Sequence, residues 1–125
     1  MVVIEVLMID DEKQFCDLVK MNLELTGRFR VWTAHNGKDG LKAAKQMQPN
    51  VILLDVMMPV MDGIETLARL KKDKATLGIP VIMLSAMTDD KTKIKTGNLY
   101  AEYYVNKPIS TEDLIAKIKS VLNIK

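Results

Sequence analysis

Several features that would point to particular protein classes are scarce in this sequence of 125 residues. The single cysteine, Cys16, excludes an internal disulfide bond and favours an intracellular, cytoplasmic location. No apolar run is long enough to cross a membrane, and the apolar opening, residues 1–10, carries Glu5 and lacks the basic leader of a signal peptide. A formal charge of +2 is too small to indicate binding to nucleic acid or a membrane surface. We therefore expect one domain with a core of its own.

Cys16 and the lone histidine, His35, do not suggest a thiol enzyme. Cys16 follows Phe15 in a helical pattern, and a cysteine nucleophile needs a base, for which His35 is the one candidate. We interpret Cys16 as a partly buried structural residue.

Short apolar runs rich in β-branched residues alternate with helical patterns along the chain. The predicted strands are Val2–Ile9, Phe29–Ala34, Val51–Asp55, Val81–Ser85 and Glu102–Val105. The predicted helices span residues 12–26, 37–47, 62–74, 88–98 and 111–123. This alternation is typical of βαβ units and predicts a parallel sheet with helices on both faces.

The helical patterns differ in quality. In the first, the apolar stripe consists of Phe15, Leu18, Val19 and Leu25. The last helix has a good capping residue in Ser110. The stretch 88–98 is the weakest, because it has one clear apolar anchor and contains a glycine, which disfavours a helix.

Polar residues gather where the predicted strands end. They are Asp10 and Asp11 after the first strand, Asp55 on the third, Ser85 on the fourth and Lys107 after the fifth. In an open parallel sheet these ends form the ligand-binding edge. Converging carboxylates repel one another and raise at least one pKa unless a cation such as Mg²⁺ joins them. With an ammonium and a hydroxyl group nearby, the set suits a phosphoryl group.

Each of these residues alone has a plainer interpretation. An aspartate at a strand end is commonly a turn or cap residue, and Asp10 or Asp11 could cap the first helix. Pro108 could simply end the last strand. The joint occurrence at one edge of the sheet favours a functional site.

Four short motifs occur in a fixed order: MIDD at 8–11, LLDVMMPVMDG at 53–63, MLSA at 83–86 and YVNKP at 104–108. With this set the chain resembles the receiver domain of two-component response regulators over essentially its whole length. The resemblance implies a single receiver domain, residues 1–125, with a doubly wound, flavodoxin-like α/β fold. Its five-stranded parallel sheet would have the order 2-1-3-4-5, between two layers formed by five helices.

The resemblance also implies the roles of the polar residues. Asp55 would accept a phosphoryl group from a phosphohistidine of a sensor kinase, or from a small acyl phosphate. Asp11, Asp55 and the backbone carbonyl of Met57 would bind Mg²⁺, for which Mn²⁺ could substitute, while Asp10 acts mainly through water. Lys107 would contact Asp55 at rest and the phosphoryl group afterwards, from a Lys-Pro bond that receivers usually hold cis.

Phosphorylation would switch the protein's partner preference. The Ser85 hydroxyl would move toward the phosphoryl group and Tyr104 would follow it inward, changing the face formed by the fourth helix, fifth strand and fifth helix. Such a protein assists its own phosphorylation and dephosphorylation and is not a turnover enzyme. The implied partners are a sensor histidine kinase or phosphotransfer protein and a downstream protein or effector domain, with no direct contact to nucleic acid or membrane. We expect a monomer or a phosphorylation-promoted dimer.

Two stretches depart from the family pattern. Tyr100 stands where receivers usually carry glycine, and together with Tyr103 it could form a partner surface or cover the sheet edge. Met57 and Met87 flank the path of the water that hydrolyses the phosphorylated aspartate. Since neither can orient a water molecule, we predict a long-lived phosphorylated state.

Other classes fit less well. A haloacid-dehalogenase-type phosphatase needs a second acid where Met57 stands, and Asp10-Asp11 would repel the phosphate of a flavin in a flavodoxin-like carrier. A small GTPase needs a GxxxxGK[ST] loop, which the sequence lacks. Two alternatives stay open: a receiver-like docking module that is not phosphorylated, and the receiver part of a longer DNA-binding response regulator. We favour a stand-alone receiver.

Overall fold

A computed structural model describes residues 2–86 and 103–124 of the chain. The elements in these ranges are β1 (Ile4–Ile9), α1 (Lys13–Glu24), β2 (Phe29–Ala34), α2 (Gly37–Met47), β3 (Val51–Asp55), α3 (Gly63–Lys72), β4 (Val81–Ala86), β5 (Tyr103–Lys107) and a C-terminal helix (Thr111–Val121). The helix predicted at 88–98 lies outside the described residues. Within them, no helix is long and apolar enough to span a membrane.

The five strands form one parallel sheet in the order β2-β1-β3-β4-β5. This order confirms the predicted doubly wound, flavodoxin-like architecture. Strands β1, β3 and β4 are almost entirely buried, as expected for central parallel strands covered on both faces.

Each face of the sheet has its own core. On one face, buried side chains of α1 and the C-terminal helix pack against alternate strand residues such as Val6 and Leu53. On the other face, side chains of α2 and α3 pack against the intervening strand residues, such as Leu7 and Leu54. Because successive side chains of a strand point to opposite faces, one apolar run supplies both cores.

Three of the helices begin with a capping side chain. Asn36, Asp62 and Ser110 each accept a hydrogen bond from the backbone N–H three residues later, at 2.7, 2.9 and 3.1 Å. These bonds satisfy N–H groups that have no partner within the helix. The cap predicted at Ser110 is confirmed. Helix α1 instead follows Glu12, whose side chain makes no capping bond.

Several bounds in the sequence prediction were wrong, among them the start of β1, which lies at Ile4 rather than Val2, and the end of β5. Strand β5 ends at Lys107 rather than at Val105, so Lys107 belongs to the strand instead of following it. Pairing with β4 continues to that point, because Ala86 of β4 lies opposite Lys107. On α1, Leu18 and Leu25 were predicted to lie in the apolar stripe, but their side chains are 51% and 78% exposed.

The buried residues of α1 are instead Cys16, Val19 and Leu23, whose spacing of three and four places them on one face of the helix. Leu18 lies away from that face, and Leu25 falls at the end of the helix.

Candidate functional site

The carboxyl ends of the strands bring the predicted acidic residues together. One carboxylate oxygen from each of Asp10, Asp11 and Asp55 lies within 4.8 Å of the others. Asp10 and Asp55 are buried, whereas Asp11 is exposed. The three carboxylates form an acidic cluster that could hold a metal ion, at the edge where the order of the sheet reverses.

Lys107 lies among these carboxylates. Its ammonium nitrogen is 2.8 Å from Oδ2 of Asp10, 3.3 Å from Oδ1 of Asp55 and 3.4 Å from Oε1 of Glu12. It also lies over the ring of Phe15, 4.7 Å from the ring centroid. The expected contact to Asp55 is present, and the Lys107-Pro108 bond is cis, as expected. Asp10 is the nearest carboxylate to the ammonium, which was not predicted from the sequence, and neither were the contacts with Glu12 and Phe15.

Burial and crowding of charge set the protonation of Asp55. Its removal from solvent, reinforced by the negative charge of Asp10, raises its pKa to about 7. The charge and hydrogen bond of Lys107 and the backbone N–H of Met57 act in the opposite direction but do not compensate. The carboxyl group that is proposed below to react is therefore destabilised as an anion when no metal is present.

Lys107 remains an ammonium despite its burial. Desolvation alone would lower its pKa, but the hydrogen bond to Asp10 and the charges of Asp55, Asp10 and Glu12 together raise it above its usual value. A permanent positive charge therefore lies at the centre of the cluster.

The loop after β3 allows a helix to begin close to Asp55. The N–H of Gly63 donates a 2.8 Å hydrogen bond to the carbonyl of Val56, and a Cβ atom at position 63 would overlap the carbonyl oxygen of Asp55. Glycine is therefore required at this close approach. Within the same loop, Val60 is fully exposed and adopts φ 67°, which a β-branched residue rarely does.

The backbone carbonyl of Asp10 is a meeting point for two side chains that the sequence analysis treated separately. It accepts a hydrogen bond from Sγ of Cys16 at 3.4 Å, and Nδ1 of His35 lies 3.2 Å from it. With its proton on Nδ1, His35 donates to this carbonyl. Both contacts fix the loop that carries Asp10 and Asp11.

Cys16 itself is completely buried, more than the partial burial expected from the sequence. Burial raises the pKa of its thiol to about 12, with a further contribution from the charge of Asp10. Since the thiolate is the reactive form, this agrees with a structural role.

The structure also describes three other residues singled out in the sequence: Ser85, Met57 and Tyr104. Ser85 is buried at the end of β4, where its hydroxyl donates to the carbonyl of Ala86 at 3.2 Å. The side chain of Met57 is 49% exposed. Tyr104 is partly buried against the α2–α3 core, and burial raises its pKa. Met87 and Tyr100 lie outside the described residues.

Tyr103 packs on the opposite face of the sheet from Tyr104. It is partly buried against the core beneath α1 and the C-terminal helix, and the ammonium of Lys117 lies 5.8 Å from its ring centroid. Tyr103 lies on the edge strand and remains partly exposed, so both interpretations given above, a partner surface and a cover for the sheet edge, stay open.

Comparison with known proteins identifies the family. Residues 6–119 match the family model of the response regulator receiver domain. The chain is 38% identical to the DNA-binding dual master transcriptional regulator RpaA of Synechocystis sp., over 94% of this chain and 48% of that protein. It is 37% identical to the alkaline phosphatase synthesis transcriptional regulatory protein PhoP of Bacillus subtilis, again over 94% of this chain and 48% of the relative.

Solved structures show the same architecture. The Vibrio cholerae chemotaxis protein CheY4 has a TM-score of 0.86 and 28% identity, over 96% of this chain and 99% of that one. By contrast, the chain spans about half the length of the curated relatives it matches. Receiver domains are signalling modules that interact with sensor kinases and effectors, and are not a classical enzyme family. The extent of the family match and the identity to these relatives show that the chain belongs to the response regulator receiver domain family of two-component systems.

Proposed function

We propose that Asp55 is the phospho-acceptor of this receiver domain. It would take a phosphoryl group from a phosphohistidine of a sensor kinase or phosphotransfer protein, or from a small acyl phosphate. The observation that carries the proposal is the contact of a buried Asp55 carboxylate, at the end of β3, with the Lys107 ammonium at 3.3 Å. We propose residues 1–125 as one receiver domain.

The donor set around Asp55 fits a hard divalent cation. Carboxylate oxygens are the preferred ligands of Mg²⁺, and a cation would relieve the repulsion that contributes to the raised pKa of Asp55. Asp11, Asp55 and the backbone carbonyl of Met57 would hold Mg²⁺, or Mn²⁺ in its place, with Asp10 acting mainly through water. When bound, the ion would neutralise charge on the phosphoryl oxygens.

The chain's own residues would perform the transfer. A carboxylate oxygen of Asp55 attacks phosphorus as the bond from phosphorus to the donor nitrogen breaks, and the departing imidazole keeps that electron pair. The rigid strand end holds the nucleophile in place. The ammonium of Lys107 then contacts the transferred phosphoryl group and offsets its charge.

The readout would begin at Ser85. Its hydroxyl would leave the carbonyl of Ala86 and donate to a phosphoryl oxygen, and Tyr104 would move inward behind it. Both strands that carry these residues, β4 and β5, are neighbours in the sheet. The surface that includes β5 and the C-terminal helix would thereby change its preference between partners, without turnover of a substrate.

A second candidate function is suggested by the relatives. RpaA is named as a DNA-binding regulator and PhoP as a transcriptional regulatory protein, and the chain matches about half of each. The same receiver could therefore control DNA binding by another part of a longer protein. The length of the complete reading frame distinguishes this arrangement from a stand-alone, cytoplasmic receiver.

The proposal is tested by intact mass after incubation with acetyl phosphate and Mg²⁺. The gain of one phosphoryl group, absent in Asp55→Asn and absent without the metal, is the expected result. Ser110→Ala is a matched control that alters a helix cap and leaves the cluster intact. If the folded protein gains no phosphoryl group from acetyl phosphate or from a phosphohistidine donor, it is the docking module that the sequence left open.

A further inference from the structure

Among the described residues, Lys107 has four side-chain partners, which fall into two pairs. Asp10 and Asp55 belong to the acidic cluster that could hold a metal ion. Glu12 and Phe15 do not belong to it, and both lie at the start of α1. When a cation and a phosphoryl group engage the first pair, Lys107 depends on the second pair to stay over the site.

A bound cation changes the balance of charge around Lys107. It shares the negative charge of Asp10 and Asp55, and it repels the ammonium because both carry positive charge. A partner that is neutral and cannot bind the metal keeps its attraction for the ammonium under these conditions.

Phe15 fits this requirement better than Glu12. The carboxylate side chain of Glu12 is 66% exposed, and solvent weakens such an ion pair. The ring of Phe15 is partly buried and packs against the core formed with the C-terminal helix, so its position is fixed. The distance of 4.7 Å from the ammonium to the ring centroid is within the range of a cation–π interaction.

We propose that Phe15 is a positioning residue for phosphorylation: its ring face holds the ammonium of Lys107 over the site while Asp10 and Asp55 are engaged. The inference rests on the proposed function. A packing role alone is the competing explanation, because Phe15 also lines the groove between α1 and the C-terminal helix with Leu18 and Leu114.

Ring fluorination separates these two explanations, because it withdraws negative charge from the ring face while changing its shape little. The series is Phe15 replaced by 4-fluoro-, 3,4,5-trifluoro- and pentafluorophenylalanine. The matched control is the same series at Phe29, the other phenylalanine of the chain, which is buried in the same core. Each protein is tested in the Lys107 and Lys107→Met backgrounds.

The first measurement is the rate of phosphorylation by acetyl phosphate at saturating Mg²⁺. We expect a graded fall with each added fluorine at position 15, reaching about threefold to tenfold for the pentafluoro ring. The series at Phe29 leaves the rate unchanged, and in Lys107→Met the dependence on Phe15 fluorination disappears. Equal rates throughout the Phe15 series, or the same gradation without Lys107, would overturn the inference.

The second measurement needs no phosphorylation. Denaturant unfolding of the metal-free proteins, arranged as a double-mutant cycle between fluorination at 15 and Lys107→Met, reports their coupling directly. A coupling that grows with fluorination is expected, and additive effects would contradict it. A protein that couples Phe15 to Lys107 but is never phosphorylated would refute the proposed function, and with it a role of Phe15 in phosphorylation, while the contact between the ring and the ammonium would stand. A protein that is phosphorylated without fluorine dependence would refute only the role of Phe15.

Discussion

The start of α1 differs from the starts of α2, α3 and the C-terminal helix. The latter three have Asn36, Asp62 and Ser110 as side-chain caps, whereas α1 follows Glu12 without one. The sequence offers Asp10 and Asp11 directly before Glu12, yet the carboxylate of Asp10 contacts Lys107 and the N–H of Glu12. The carboxylate of Asp10 is therefore engaged with Lys107 and the N–H of Glu12 rather than with the first turn of α1, and we expect this helix start to be less stable than the capped ones.

Among the variants that test this comparison, Asp55→Asn is expected to change the free energy of unfolding most. Because the pKa of Asp55 is raised, its anion destabilises the metal-free fold, so removing the charge should increase the free energy of unfolding by about 1–3 kcal/mol at pH 8. Denaturant titration without metal measures the increase. Saturating Mg²⁺ should stabilise only the wild type, by mass action. A destabilised Asp55→Asn protein would show that the Lys107 contact outweighs the repulsion.

The same carboxyl group predicts how stability depends on pH. A folded pKa of about 7, above the ordinary value of 3.8, means that the fold binds this proton more tightly than the unfolded chain does. The contribution to stability is therefore fully present below about pH 4 and is lost as pH rises through about 7. Unfolding of the metal-free protein across this range should show the loss, and Asp55→Asn should lack it. The same slope in both proteins would assign it to another group.

The next largest effect is on Mg²⁺ affinity and tests the contact of His35 with the backbone carbonyl of Asp10. Replacing His35 by leucine removes the donor at 3.2 Å and should weaken Mg²⁺ binding by about tenfold, because the loop carrying two of the acids loses a fixed point. Asparagine at the same position can place an N–H close to that of Nδ1 and should retain most of the affinity. Calorimetric titration with Mg²⁺ compares them. Equal affinities of the leucine and asparagine variants would show that the hydrogen bond has no such role.

A capped helix should respond differently from α1. Ser110→Ala removes the bond to the N–H of Asp113 and should lower the free energy of unfolding by about 1 kcal/mol. Mg²⁺ affinity should not change, since Ser110 is not part of the acidic cluster. If Ser110→Ala lowered Mg²⁺ affinity about as much as His35→Leu, the helix cap could not be separated from the metal-binding residues, and the comparison would fail.

The smallest effect tests whether α1 can be given the missing cap. Glu12→Asp places a good capping side chain at the extended residue before the helix and should raise the free energy of unfolding of the metal-free protein by about 0.5–1 kcal/mol. Thermal or denaturant unfolding measures the gain. An unchanged or lower stability would show that the contact between Glu12 and Lys107 contributes more than a cap.

Much of the fold could be predicted because its signals are local. The bounds of β2, α2 and β3 agree with the prediction, since an apolar run or periodic stretch ends there at a clear turn or capping residue such as Asn36. Strand β5 was misplaced because Asn106 and Lys107 are polar and stay in the strand only through pairing with β4. That pairing joins distant segments and leaves no local signal.

The residues of the site likewise fall into those that the sequence predicts and those that depend on the packing of distant segments. The residues at the strand ends could be predicted from the parallel topology and from the ordered motifs, which also located Lys107 near Asp55. The contacts of Phe15 with Lys107 and of His35 with Asp10 could not, because each depends on how a neighbouring element packs against the loop after β1. No sequence spacing relates Phe15 to Lys107 or His35 to Asp10, so neither contact could be predicted from a motif.

The most direct test of the central claim is to locate the phosphoryl group by chemistry. Borohydride reduces an aspartyl phosphate to homoserine, so the protein is phosphorylated with acetyl phosphate and Mg²⁺, reduced, digested and sequenced by tandem mass spectrometry. The account predicts homoserine at position 55 in the peptide containing residues 51–63, and none in unphosphorylated protein. Homoserine at Asp10 or Asp11, with Asp55 unmodified, would contradict it.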